Sequence, residues 1–142
     1  MHLDTIHLEV TYNAPVERVW QALTEPDQIR EWCFDVPNFM AEQGTEFEFH
    51  KLGHKRMFLH RCKILDAKDK KRLQYTWSYP DLQIGESVVT WELIPRGAFT
   101  SVRLVHEHLL NHKDGGEAFT IDSFDSGWNN ILKRSLADYL EK

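Results

Sequence analysis

Three consecutive runs decide the fold: Phe58-Leu59-His60-Arg61-Cys62-Lys63-Ile64-Leu65, then Lys68-Asp69-Lys70-Lys71-Arg72, then Leu73-Gln74-Tyr75-Thr76-Trp77-Ser78. In the first, Phe58, His60, Cys62 and Ile64 share one side of a period-two pattern. Turning that side inward sends Arg61 and Lys63 to water, where their charge needs no partner. In the third run Leu73, Tyr75 and Trp77 alternate with Gln74, Thr76 and Ser78. The basic cluster between them, interrupted by Asp69, reads as the solvated tip of a hairpin. The pattern predicts antiparallel strands with one aromatic face.

The same alternation continues on both sides. Towards the C-terminus, residues 80–86 form a connection containing Gly85, and Val89, Trp91 and Leu93 then alternate. Pro95-Arg96-Gly97-Ala98 turns the chain, and Val102, Leu104, His106 and His108 are expected on one face. Residues 111–117 are polar, include Gly115-Gly116 and predict a loop. Beyond it Trp128, Ile131, Leu132, Leu136, Tyr139 and Leu140 make a broad apolar helical stripe, with Lys133, Arg134 and Asp138 away from it. Towards the N-terminus, Leu52-Gly53-His54 predicts a turn, and Phe47 and Phe49 alternate with Glu46, Glu48 and His50. Further back, Ile6, Leu8, Val10 and Tyr12 alternate as a first strand. Asn13 is placed to cap a helix, Pro15 suits its first turn, and Val16, Val19, Trp20 and Leu23 recur at helical spacing. Thr24-Glu25-Pro26 ends that helix and opens a shorter one that carries Ile29 and runs to Trp32. Strand, helix pair, five strands and long helix predict an α+β fold. Its curved antiparallel sheet wraps around a long C-terminal helix in one domain over residues 1–142.

Composition narrows the function classes. The 22 acidic residues outnumber the 17 basic ones, giving a net charge of −5, and non-specific nucleic-acid binding needs the opposite balance. Five Trp, eight Phe and four Tyr are many for 142 residues, and such rings either fill a core or line a pocket. Cys33 and Cys62 lack CxxC spacing, and Met1-His2-Leu3-Asp4 resembles no secretory leader, so free thiols in a cytoplasmic setting are expected. No stretch reaches the roughly 20 apolar residues of a membrane span.

At this point a family resemblance emerges. Asn13-Ala14-Pro15-Val16-Glu17-Arg18-Val19-Trp20, followed by Leu23-Thr24-Glu25-Pro26 and Trp32, resembles the opening of START-like (SRPBCC) domains. Within that superfamily it looks most like the group named for the activator of heat shock protein 90 ATPase. Ile64-Leu65-Asp66-Ala67 leading to Arg72-Leu73-Gln74-Tyr75-Thr76-Trp77 is similar to that group's central hairpin. Val102-Arg103-Leu104-Val105-His106-Glu107, Gly127-Trp128-Asn129-Asn130-Ile131-Leu132 and Leu136-Ala137-Asp138-Tyr139-Leu140-Glu141 look like its closing pieces. The resemblance implies a helix-grip fold with a cavity between sheet and long helix. Such cavities take apolar or amphipathic ligands, lipids among them. Two departures stand out: nothing corresponds to the namesake co-chaperone's N-terminal domain, and Lys70-Lys71 replaces the prolines common at the hairpin tip. The first argues against chaperone stimulation; the second touches only a loop.

Candidate site residues follow from the alternation. Phe47, Phe49, Phe58, Tyr75, Trp77 and Trp91 are expected on the concave side opposite Trp128 and Leu132, with Trp32 and Phe34 near one mouth. They form a ligand pocket, or they simply fill the core. The Tyr75 hydroxyl and the indole N–H groups are the polar handles. His106 and His108, two apart on a strand, could reach one metal, with His60 as a third ligand and Cys62 one step along. An HxH pair alone is a weak signal and no acidic ligand follows at metal-like spacing, so rings bonded to carbonyls or water are preferred. Cys33 sits between apolar Trp32 and Phe34, an unsuitable setting for a reactive thiol. Neither GxSxG, Walker A nor GxGxxG occurs, and Glu107 lies on the face opposite the histidines. The expectation is therefore non-catalytic binding of an apolar or amphipathic small molecule, with no catalytic residue, metal or cofactor. The alternatives are a chaperone-associated module and a small cyclase- or hydrolase-like enzyme using His60, His106 and His108. Exposed strands leave room for a homodimer.

Overall fold

The computed structural model describes residues 5–33, 35–36, 39–53, 56–82, 84–115 and 119–141. Six strands form one antiparallel sheet: β1 (Ile6–Tyr12), β2 (Glu46–Gly53), β3 (Arg56–Lys68), β4 (Arg72–Ser78), β5 (Glu86–Arg96) and β6 (Phe99–Glu107). Their order is β1-β6-β5-β4-β3-β2. Strands β2 to β6 follow one another as hairpins, and β1 pairs with β6 at the far edge. The chain must therefore cross from one edge to the other after β1. It does so through α1 (Val16–Thr24) and α2 (Pro26–Trp32), which lie across one end of the concave face.

The decisive hairpin behaves as its alternation requires. Phe58, His60, Cys62 and Ile64 are buried, while Arg61 and Lys63 are exposed. Register slips by one residue between Ile64 and Asp66, which leaves Leu65 bulged outward and bends β3. The vacated Lys63 N–H is taken by the Thr76 hydroxyl at 2.8 Å. At the other long hairpin Gly97 (φ +68°) supplies the left-handed conformation that a two-residue turn demands.

The C-terminal helix is continuous but not uniform. Thr120 caps α3 (Ile121–Asn130), its side chain accepting from the Ser123 N–H at 3.1 Å. A π-helical turn (Ile131–Ser135) follows, then α4 (Leu136–Leu140). Leu136 N–H reaches back five residues to the Ile131 carbonyl, and the Leu132 carbonyl accepts the Tyr12 hydroxyl at 2.6 Å. The wider turn re-phases the stripe, so that Trp128, Ile131, Leu132, Leu136 and Leu140 are all buried against the sheet. Arg18 of α1 completes the clasp, donating to the Tyr139 carbonyl at 3.2 Å with its guanidinium over the Tyr139 ring. This is the helix-grip arrangement: a bent sheet closed around one long helix.

Two expectations are corrected. Helix α1 is capped by Pro15, not Asn13, and the cap has no side-chain bond. Asn13 lies in the bend after β1, where its N–H donates to Glu141 Oε2 at 3.0 Å and ties the strand end to the last helix. The predicted loop of residues 111–117 is a 3-10 helix (Leu109–Gly115) as far as residue 115. Leu109 and His112, three residues apart on the three-residue period of that helix, are both buried and hold it against the sheet.

Candidate functional site

The space between sheet and C-terminal helix has two ends, separated by a partition of rings. Trp77 lies 5.5 Å from Trp128 between ring centroids, and Phe49 packs against Trp77 at 5.6 Å. On the α1–α2 side of this partition the chain leaves a cleft. Leu23, Ile29, Trp32, Cys33 and Phe39 make its outer wall. Phe47 of β2, Leu73 and Tyr75 of β4, and Trp91 of β5 make the sheet wall, with Trp128 at the base. None of these side chains carries a charge. About 370 Å³ of atom-free space lies between the walls when the open mouth is counted, but only about 20 Å³ admits the centre of a water-sized sphere. That is room for about one water. Edge-to-face contacts account for the tightness: Phe39 on Phe47 at 4.9 Å and Phe47 on Tyr75 at 5.3 Å.

The polar atoms of the cleft are few and fixed. Trp32 Nε1 donates to the Ala22 carbonyl at 2.8 Å, which sets its ring across the mouth. Trp91 Nε1 donates to the Tyr75 hydroxyl at 2.9 Å. Burial, and secondarily the neighbouring Cys62, pushes the Tyr75 phenol well above its ordinary range, so it stays protonated. Burial raises the Cys62 thiol in the same way.

Beyond the partition lies a different construction. Trp128 Nε1 donates to His106 Nδ1 at 2.9 Å, which places the His106 proton on Nε2. His106 Nε2 then donates to Ser87 Oγ at 2.7 Å. On the far side, His112 Nδ1 must donate to the Ile84 carbonyl at 3.1 Å, leaving Nε2 to accept the Ser87 hydroxyl at 2.8 Å. One arrangement of protons satisfies the whole chain, and both imidazoles in it are neutral. Burial, followed by the neighbouring His112, pushes His106 down to about 3; burial also lowers His112. Rings enclose the chain: Tyr79 stands 5.1 Å from His112 and 4.7 Å from Phe119, and Phe124 5.3 Å from His106.

The candidate residues are distributed over both ends. Trp32, Phe47, Tyr75, Trp91 and Trp128 line the cleft. Phe49, Phe58, His60, Trp77, His106 and Leu132 are buried but do not line it. Phe34 lies outside the described residues. His108 is a correction: β6 ends at Glu107, and His108 takes φ +65° and is exposed, so it shares no face with His106. The turn into the 3-10 helix breaks the alternation one residue before it. His60 Nδ1 bonds the Phe58 carbonyl at 2.9 Å. Among the described residues no three His, Cys, Asp or Glu side chains gather as a metal site would need. Leu23, Ile29, Cys33, Phe39 and Leu73 of the cleft were not foreseen, nor were Ser87 and His112. Ser87 was discoverable, since it extends the Val89-Trp91-Leu93 alternation inward by one step.

Residues 13–141 match the family model described as Activator of Hsp90 ATPase homolog 1-like protein. Among solved structures, protein MLL2253 from Mesorhizobium loti is 25% identical, with a TM-score of 0.77 over 96% of each chain. Protein CV1439 from Chromobacterium violaceum is 23% identical, with a TM-score of 0.81 over 98% of this chain and 99% of its own. CalU16 from Micromonospora echinospora is 24% identical, with a TM-score of 0.71 over 95% of this chain and 73% of its own. None of the curated proteins matches the sequence.

Proposed function

Because the chain belongs to the Activator of Hsp90 ATPase homolog 1-like family, we propose that it binds an uncharged, largely apolar small molecule in the cleft between α2 and the sheet, without catalysis. The observation that carries this reading is the wall itself: ten described side chains, none charged, six of them aromatic beside the sulfur of Cys33, converging on an open mouth. A guest larger than water must displace the outer wall. That wall is the movable one, because α2 and Phe39 meet the sheet through side chains, whereas β2, β4 and β5 are held by ladder hydrogen bonds.

A general-base role for His106 or His112 lacks the geometry it needs. A general base needs a free lone pair within reach of a substrate. His106 accepts from Trp128, His112 accepts from Ser87, and both are fully enclosed. No membrane-crossing role is indicated by the helices, for none of those described is long and apolar enough to span a bilayer.

The test is displacement of a fluorescent apolar dye, paired with native mass spectrometry of the purified protein. The reading predicts saturable dye binding at one site, loss of that signal with added apolar competitor, and weakening by Trp91→Ala. A protein that takes up neither dye nor competitor at millimolar concentration contradicts it.

A further inference from the structure

Resting on that binding reading, we infer that the cleft selects a neutral ligand carrying one hydrogen-bond acceptor, such as a ketone or ester oxygen, which receives the Tyr75 hydroxyl hydrogen. A phenol offers one hydrogen and lone pairs. The Trp91 indole N–H occupies a lone pair of Tyr75 at 2.9 Å, and both residues line the cleft. Among the described residues no acceptor takes the hydrogen that remains. Tyr75 is also almost wholly buried, 4% exposed, so bulk water is a poor substitute. A buried donor left without an acceptor is unfavourable, and the cleft has room for about one water to serve as one. A guest that supplies an acceptor relieves this, and a hydrocarbon of the same shape does not.

The remaining walls restrict the acceptor's charge. Leu73, Phe47, Trp91 and Trp128 surround the site with apolar surface, and among the described residues no Lys, Arg or His lines it. A carboxylate would give up its water with no cation in return, so an ionised ligand is disfavoured even though it accepts hydrogen bonds well. Tyr79 receives the Trp77 indole N–H in a similar way, at 2.7 Å, but it does not line the cleft. The selective hydroxyl is therefore that of Tyr75.

A three-ligand series on one skeleton tests this: 1-indanone, indane and indane-1-carboxylate, titrated by intrinsic tryptophan fluorescence into wild type, Tyr75→Phe and Trp91→Phe. The readout is the ratio of ketone to hydrocarbon affinity in each protein, which cancels the different water solubilities. We expect Tyr75→Phe to lower that ratio about five-fold, in line with one net hydrogen bond, with indane binding changed less than two-fold. Trp91→Phe, which leaves the donor in place but frees its oxygen, should lower the ratio less than Tyr75→Phe does. The carboxylate should bind at least ten-fold more weakly than the ketone in wild type. The carbonyl stretch of 1-indanone bound to wild type should fall below its value in hexane, a readout that does not depend on any variant folding. A ratio unchanged in Tyr75→Phe, or a carbonyl stretch at the hexane value, overturns the inference while leaving apolar binding intact. Failure of all three ligands to bind wild type overturns both.

Discussion

The two ends of the space under the C-terminal helix use the same materials, aromatic rings with a few hydrogen-bonding atoms, and arrive at opposite results. At the 3-10 end the ring nitrogens of His106 and His112 are joined through Ser87 in one directed chain that runs from the Trp128 indole to the Ile84 carbonyl. At the α2 end the chain of donors stops at Tyr75, and the space around it is not quite filled. A fully satisfied buried network is rigid and expensive to open; a wall of rings held by dispersion is not. The difference marks the α2 end as the place where the proposed guest would enter.

The contrast breaks most easily on the two hydroxyls. Ser87→Ala deprives two buried imidazole nitrogens of partners and should destabilise the fold by about 2–4 kcal/mol, whereas Tyr75→Phe strands one indole N–H and should lose about 1–2 kcal/mol. Urea unfolding of both variants decides the matter, and equal losses would erase the distinction. Acid sharpens it. The unfolded chain protonates His106 below about 6.5, while the folded protein refuses the proton until about pH 3. Stability from this group is thus complete above about pH 6.5 and declines as the pH falls, by about 2–3 kcal/mol at pH 4.5. The decline should be visibly flatter in His106→Gln, measured across the same range. The smallest effect is expected at the mouth. Trp32→Ala removes a half-buried ring from the outer wall and should tighten dye binding several-fold, roughly 1 kcal/mol, with only a modest loss of stability. Weaker dye binding would mean that Trp32 is itself the main contact surface.

Much of the fold was legible because it rests on period. The inward set Phe58, His60, Cys62 and Ile64 alternates so cleanly that a single hairpin fixed the orientation of the sheet. The helical stripe from Trp128 to Leu140 was legible too, although the π turn that re-phases it leaves no mark in the pattern. The site was legible only in part. Rings on strands could be assigned to the concave face, but alternation says nothing about which end of that face is packed shut. Phe39 sits in an aperiodic segment and gave no signal. His112 was hidden in a polar run whose three-residue period is too short to stand out from a loop. His108 misled for the converse reason, continuing a strand's alternation one step after the backbone had left it.

The central claim is that the α2 end opens to an apolar guest and the 3-10 end does not. Indole N–H resonances report on both ends in one spectrum, since Trp32 and Trp91 line the cleft while Trp77 is bonded to Tyr79 beyond the partition. Titrating 1-indanone into the nitrogen-15-labelled protein should move the Trp32 and Trp91 signals along saturating curves and leave Trp77 nearly still. No shift in any indole, or a shift led by Trp77, would contradict the account.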